Sequence, residues 1–202
     1  MVIEMKDRCK EGFTLVELLI VVTIVGVLVA ISIPLLNEQL EKAREAHDIA
    51  IMRQAAAAAM HYYYMGINEK NCETITREKI DNVDYYLKWW KNGPKEEHNA
   101  AGIYNPSNGK FYPTREYASS KGLKPYGKGT TLDAETNFTM ANEQGAYASD
   151  KDYTKAVVLV SIFPNASQPY ADIYWKSLKE GKYIGGPDSG NIANYSMRVN
   201  FN

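Results

Sequence analysis

Gly12-Phe13-Thr14-Leu15-Val16-Glu17-Leu18-Leu19-Ile20-Val21-Val22 opens a stretch that stays almost wholly apolar as far as Leu36. Between Phe13 and Leu36 the only charged residue is Glu17. About 20 such residues cross the ~30 Å hydrocarbon core of a bilayer as a helix, so the stretch predicts a membrane span. Two features set it apart from a plain span. A carboxylate stands inside the apolar run, and a short charge-dense segment ends in Gly12 just ahead of it.

An ordinary secretory signal accounts for part of this pattern, and Ala30-Ile31-Ser32 offers a small-x-small cleavage site. The apolar region of a signal, however, runs about 7–15 residues, shorter than this one. A simple anchor fits the length and leaves Glu17 without a reason. An acidic group costs about 2.5–3.5 kcal/mol at the centre of a membrane helix and less near an end. It therefore calls for a partner, or for a route by which it snorkels to the headgroups.

Gly12-Phe13-Thr14-Leu15-Val16-Glu17, followed by a long apolar helix and Pro34, resembles the N-terminus of type IV pilin precursors. The resemblance covers roughly residues 8 to 45, with the helix continuing to about residue 65. It implies that residues 1–12 are a leader, cut between Gly12 and Phe13 by a prepilin peptidase that also N-methylates Phe13. It further implies that Glu17 faces the α-amino group of Phe13 in a neighbouring subunit as the filament grows from an inner-membrane platform. The electrostatics agree. Cleavage creates a cationic amine one turn from Glu17, and an opposite charge offsets the cost of a carboxylate in an apolar bundle. A group that must pack within its own helix has few ways to find that charge there, so the expected partner is another chain. One departure stands out: pilin leaders are usually net basic, whereas here Lys6, Arg8 and Lys10 are balanced by Glu4, Asp7 and Glu11.

Gly26 and Pro34 are the helix-weakening residues of the run. Pro34 cannot donate to the carbonyl of Ala30 and is expected to kink or open the helix. In filaments of the resembling family the helix melts in this region. Gly26 carries no such assignment. Beyond Leu36 the residues become charged and helix-forming, with Glu38 and Lys42 at a favourable i,i+4 spacing. From Ile49 an apolar stripe runs through Met52, Ala56, Ala59 and Tyr63, widened by Ile51, Ala55, Ala58, Tyr62 and Met65. Gly66 is a plausible C′ glycine. A helix from Phe13 to Met65 would be about 80 Å long, spanning the bilayer and then forming the spine of an outer domain. The division expected is thus leader 1–12, membrane and assembly half 13–36, amphipathic half 37–66 and head 67–202.

In the head, Glu73 to about Trp89 reads as a short helix. Ile103-Tyr104 and Lys110-Phe111-Tyr112 flank the turn-rich Asn105–Gly109, a hairpin signal. Residues 118 to 150 are rich in Gly, Thr, Asn and Ser and read as loop. Ala156–Phe163, β-branched and nearly all apolar, predicts a central strand against the helix. Ala171–Lys176 is its expected partner, Gly185–Gly190 a loop, and Tyr195–Phe201 a half-buried strand by its alternation. The fold class expected is α+β, pilin-like: one long helix packed on a small antiparallel sheet.

Composition narrows the chemistry. Lys and Arg total 23 against 24 for Asp and Glu, so no global basic field attracts nucleic acid. Three His, at 47, 61 and 98, give little for base catalysis or zinc, and no nucleophile–base constellation or phosphate loop is present. No catalytic, cofactor or metal residues are expected. Asp150, Lys151, Asp152, Asp172 and Asp188 are oxygen-rich, and some secretion pseudopilins bind calcium in C-terminal loops. Their spacing matches no calcium loop, and solvated loop carboxylates are the simpler reading. Fifteen Tyr and three Trp suit packing and filament contacts, with sugar stacking as an alternative. Asn137, Asn165 and Asn194 head N-glycosylation acceptor patterns. With Cys9 in the leader, Cys72 would be left without a partner, which by family resemblance leans toward a Gram-positive setting.

The function expected is a structural pilus subunit, made as a single-pass cytoplasmic-membrane precursor of a bacterium and carried into an extracellular filament. Its partners would be copies of itself, other pilins, the prepilin peptidase/methyltransferase, the assembly platform and the membrane. The alternatives are a pseudopilin of a type II secretion or DNA-uptake system, and a membrane-anchored glycan-binding module.

Overall fold

The structure, a computed structural model, describes residues 12–65, 87–90, 93–95, 98–129, 138–140, 143–147, 152–184 and 196–201. The chain divides into two compact units, Met1–Leu40 and Glu41–Asn202. A long helix, α1 (Leu15–Tyr64), contributes to both. In the first unit the described residues, 12 to 40, are all exposed. The helix runs unbroken through Gly26 and Pro34. The two hydroxyls of the apolar run are turned back onto their own helix: Thr23 Oγ1 donates to the Leu19 carbonyl and Ser32 Oγ to that of Leu28, each at 2.7 Å. That removes the cost of unpaired polar groups in an apolar setting. The helix is long and apolar enough to cross a membrane.

In the second unit the stripe of α1 turns inward. Ile49, Ile51, Met52, Ala55, Ala56 and Ala59 are buried, and the three alanines let the helix lie close to a sheet. That sheet is antiparallel, built from β1 (Lys88–Trp90), β2 (Asn99–Asn105), β6 (Ala156–Phe163), β7 (Tyr170–Ser177) and β8 (Met197–Asn200) in that order, with β3 (Lys110–Tyr112) also on β2. One edge of β2 is shared, residues 99–101 pairing with β1 and 103–105 with β3. Its other edge pairs with β6. Alternation sorts the strands: Val158, Val160, Ile162, Ile173 and Trp175 face the core with α1. Val157 faces the other way, into a smaller cluster with Ile103, Tyr112, Leu178 and Ala118 of α2 (Arg115–Ser120). A separate two-stranded sheet joins β4 (Phe138–Met140) to β5 (Glu143–Tyr147). The α+β class expected from sequence is the one observed.

Several local readings are corrected. Lys88 and Trp89, taken as the end of a helix from Glu73, belong with Trp90 to strand β1, because tryptophans suit a paired strand and β2 offers the edge. Residues 73–86 lie outside the described part, as do Gly66, the 185–190 loop and Tyr195. Within 118–150 the chain is not all loop. It holds the end of α2, a helix whose start is capped by Thr114 Oγ1 accepting from Tyr117 N at 3.1 Å, and both β4 and β5. Turn-rich composition hid a ladder that needs only backbone groups. The hairpin expected near 105–109 is present, with Gly109 N donating to the Asn105 carbonyl at 2.9 Å. The strand leading into it begins four residues earlier than expected, at Asn99.

Two buried polar anchors hold this unit together. Asp48, fully buried on α1, accepts from the backbone N–H of Lys128 at 2.8 and 3.1 Å and of Gly129 at 3.0 Å. Gly129 has φ +63, and a Cβ there would come within 2.9 Å of Tyr153 N, so the loop reaches Asp48 only with glycine at that position. Beyond the last pair of the β2–β6 ladder, Ile103 with Leu159, the hydroxyl of Tyr126 takes the place of a rung. It accepts from Val158 N at 2.8 Å and donates to the Tyr104 carbonyl at 2.6 Å.

Asp48→Ala should therefore cost about 3 kcal/mol in urea unfolding of the full chain in detergent, and Asp48→Asn about half of that. Burial holds the Tyr126 and Tyr174 hydroxyls well above the usual phenol range. A folded-state pKa above the unfolded value of 10.0 means that stability is full below pH about 10 and falls as pH rises past it. Tyr126→Phe should lower stability at neutral pH by about 2 kcal/mol and flatten part of that alkaline loss, both read from melting temperature against pH.

Candidate processing and assembly site

The residues at the start of α1 form a reciprocal cap. Thr14 precedes the first helical residue, and its hydroxyl accepts from Glu17 N at 3.2 Å. Glu17 reaches back, its Oε2 taking both Thr14 N at 2.9 Å and Thr14 Oγ1 at 2.8 Å. This is a capping box, in which a hydroxyl residue and a carboxylate three positions later satisfy one another's backbone donors. The carboxylate also stands in the first turn, where the helix dipole favours negative charge. Thr14-x-x-Glu17 was the sequence signal for it, obscured there by reading Glu17 as a membrane anomaly.

The cap supplies hydrogen bonds to Glu17 from within its own helix start but no positive charge: one oxygen, Oε2, is used by Thr14. The other, Oε1, has no hydrogen-bond partner among the described residues. Gly12 and Phe13 lie immediately before the helix in exposed chain without regular secondary structure, with Phe13 89% exposed. A Cβ on Gly12 would meet nothing within 4 Å, so the fold itself does not demand glycine there. The same is true of Gly26. The bond between Gly12 and Phe13 lies outside the capping box, so cutting it leaves all three hydrogen bonds in place.

Of the carboxylates considered for calcium, the two described, Asp152 and Asp172, are each held by other protein groups. Asp172 is on β7 rather than in a turn, and Arg198 clasps it with Nε to Oδ1 and Nη2 to Oδ2, both at 2.8 Å. Asp152 accepts from Thr154 N and Oγ1, which holds its carboxyl below the usual range. Asp150, Lys151 and Asp188 lie outside the described residues. Among the described residues no group of three or more His, Cys, Asp or Glu is placed to hold a metal. Asn165 lies in the β6–β7 turn, partly exposed with its Nδ2 buried; Asn137 and Asn194 fall outside the described part. Many of the aromatic residues pack on one another, as in the stacked Tyr63–Phe201 pair and the Tyr126 and Tyr153 rings against Trp175.

Residues 7–33 match the family model described as the prokaryotic N-terminal methylation motif, the prepilin-type leader. No curated protein and no solved structure matches the chain. The match takes in Gly12, Phe13, Thr14, Glu17 and Gly26 and stops one residue short of Pro34. The motif supports a prepilin-processed protein of the pilin or pseudopilin kind. Together with the membrane-capable helix it supports a membrane-anchored bacterial precursor. It points to a structural protein, and nothing gives positive evidence of catalysis. The Gram-positive leaning finds no support.

Thr14→Val should remove the cap at a cost of about 1 kcal/mol, while Thr14→Ser keeps it. In hydrogen exchange of the full chain in detergent, the Glu17 amide should then exchange about fivefold faster in the valine variant only. Gly12→Ala should leave the whole exchange pattern unchanged.

Proposed function

We propose that the chain is a structural subunit of a type IV pilus, cut between Gly12 and Phe13, N-methylated at Phe13 and polymerised through α1 into a surface filament. The observation that carries this reading is the start of α1: an accessible Gly12–Phe13 bond, followed by a carboxylate with one oxygen committed to Thr14 and the other uncommitted. After cleavage the amine of Phe13 in a second subunit is the natural cation for Oε1. Charge pairing there would fix the axial register of one helix against the next.

The apolar surface supports the same reading. The large apolar side chains from Phe13 to Leu40 lie in the open, about half exposed or more. Soluble monomers do not present a continuous apolar surface of this extent. A bilayer covers it in the precursor, and the helices of other subunits cover it in a filament. On this reading 1–12 is the leader, 13–36 the membrane and assembly half, 37–66 the half that carries the head, and 67–202 the head. Pro34 is the weak point at which the helix yields on assembly, and the partners are the peptidase/methyltransferase, the inner-membrane platform and other pilin copies.

Mass spectrometry of the mature chain tests the proposal. A polypeptide beginning at N-methyl-Phe13, recovered from sheared surface filaments, is the expected result. A mature chain beginning at Met1 or Ile33 would refute it, and a Phe13 terminus found only in short periplasm-confined structures would assign the chain to a pseudopilus instead.

A further inference from the structure

The face of the sheet turned away from α1 is only partly covered by α2. Beside α2 it holds a cavity of about 470 Å³, bounded by β1, β2, β6 and β7 and by the turn at Tyr183. That is far larger than a bare ion requires and falls within the ~300–1,000 Å³ of small-molecule sites.

Its described lining carries the cations Lys88, Arg115 and Lys176 and, among the described residues, one carboxylate, Glu116. Arg115 is fixed in place: its Nη1 donates to the carbonyls of Lys179 at 3.2 Å and Leu178 at 3.4 Å, and Nη2 lies 3.7 Å from Glu116. The guanidinium sits over Gly181, where a Cβ would come within 2.6 Å of it. Glu116 is drawn below the usual carboxylate range first by its backbone hydrogen bond, with Arg115 and Lys88 adding to the effect. Lys176 is the outlier. It is half-buried, its Nζ lies 4.6 Å over the Tyr183 ring, and among the described residues no carboxylate is within ion-pair distance. Burial, reinforced by Arg115, lowers its pKa against the opposing pull of Glu116. A desolvated cation in this position is stabilised by an incoming anion.

The rest of the lining is mixed. Ile103 and Leu159 give an apolar floor, while Ser161 Oγ and Tyr174 Oη are hydrogen-bonded to each other at 2.7 Å with either able to donate. A reversible hydroxyl pair suits a ligand hydroxyl, which also donates and accepts. A ring with apolar C–H faces, several hydroxyls and one carboxylate matches all three parts of the lining.

We infer that this cavity binds a sugar acid, with its carboxylate against Lys176 between Lys88 and Arg115, and its ring over the Ile103–Leu159 floor beside Ser161 and Tyr174. The inference is independent of filament assembly, since every residue it uses lies in the second unit.

Isothermal titration calorimetry of the full chain in detergent tests it with galacturonate, galactose, acetate and inorganic phosphate as probes. Saturable galacturonate binding, about tenfold or more tighter than any of the other three, is the expected result. Lys176→Met should weaken galacturonate about tenfold and Lys176→Arg should recover most of the loss; Lys88→Met, on a different strand, provides a second variant with the same expected direction. Absence of saturable galacturonate binding would overturn the inference. Galactose binding equally well would remove the role of the charge, and acetate or phosphate binding equally well would remove the role of the ring. Either result would also overturn it, as would unchanged galacturonate affinity in both folded methionine variants.

Discussion

The two oxygens of Glu17 have different surroundings, and the proposed account rests on that difference. Oε2 closes the first turn of α1 against the amide and hydroxyl of Thr14. A carboxylate satisfied in this way is far cheaper to keep at the mouth of an apolar helix than one with no donor, which is why the motif tolerates it. The cap belongs to residues 14–17 and is untouched by removal of a leader. What cleavage would add is a mobile positive charge, and Oε1 is the acceptor left for it.

The same helix serves two solvents. Its first half presents apolar side chains in every direction, as a membrane-covered segment does, while its second half buries only the Ile49–Ala59 stripe against a sheet. The outer half is tied down by Asp48, whose carboxylate gathers the 128–129 loop onto the helix. Tyr126 then extends the β2–β6 pairing with its hydroxyl where the backbone ladder ends. The core of this unit is thus reinforced by Asp48 and Tyr126, whose buried polar atoms are hydrogen-bonded.

Legibility in the sequence followed physical cause. The membrane-capable helix, its inward stripe and strands β6 and β7 were legible because hydrophobic length and periodicity determine them. β1 was misread because Trp89 and Trp90 take their state from pairing with β2, which no local pattern reveals. β4 and β5 were missed for the same reason. Asp48 looked like one more charge on a helix; only the approach of residues 128–129, some 80 positions away, makes it an anchor. At the candidate site the local arrangement was not legible, since Thr14 was passed over as a partner of Glu17. The cavity around Lys176 draws on four strands and a helix start, and so has no linear signature.

Replacing Glu17 by Gln separates the two uses of the side chain. The amide oxygen still accepts from Thr14 and holds the cap, but the charge offered to a neighbouring Phe13 amine is gone. The account predicts that the Glu17→Gln precursor inserts and is cut after Gly12 at the normal rate, yet yields no filaments by electron microscopy of the cell surface. Filaments of normal number and length from the glutamine variant would contradict it.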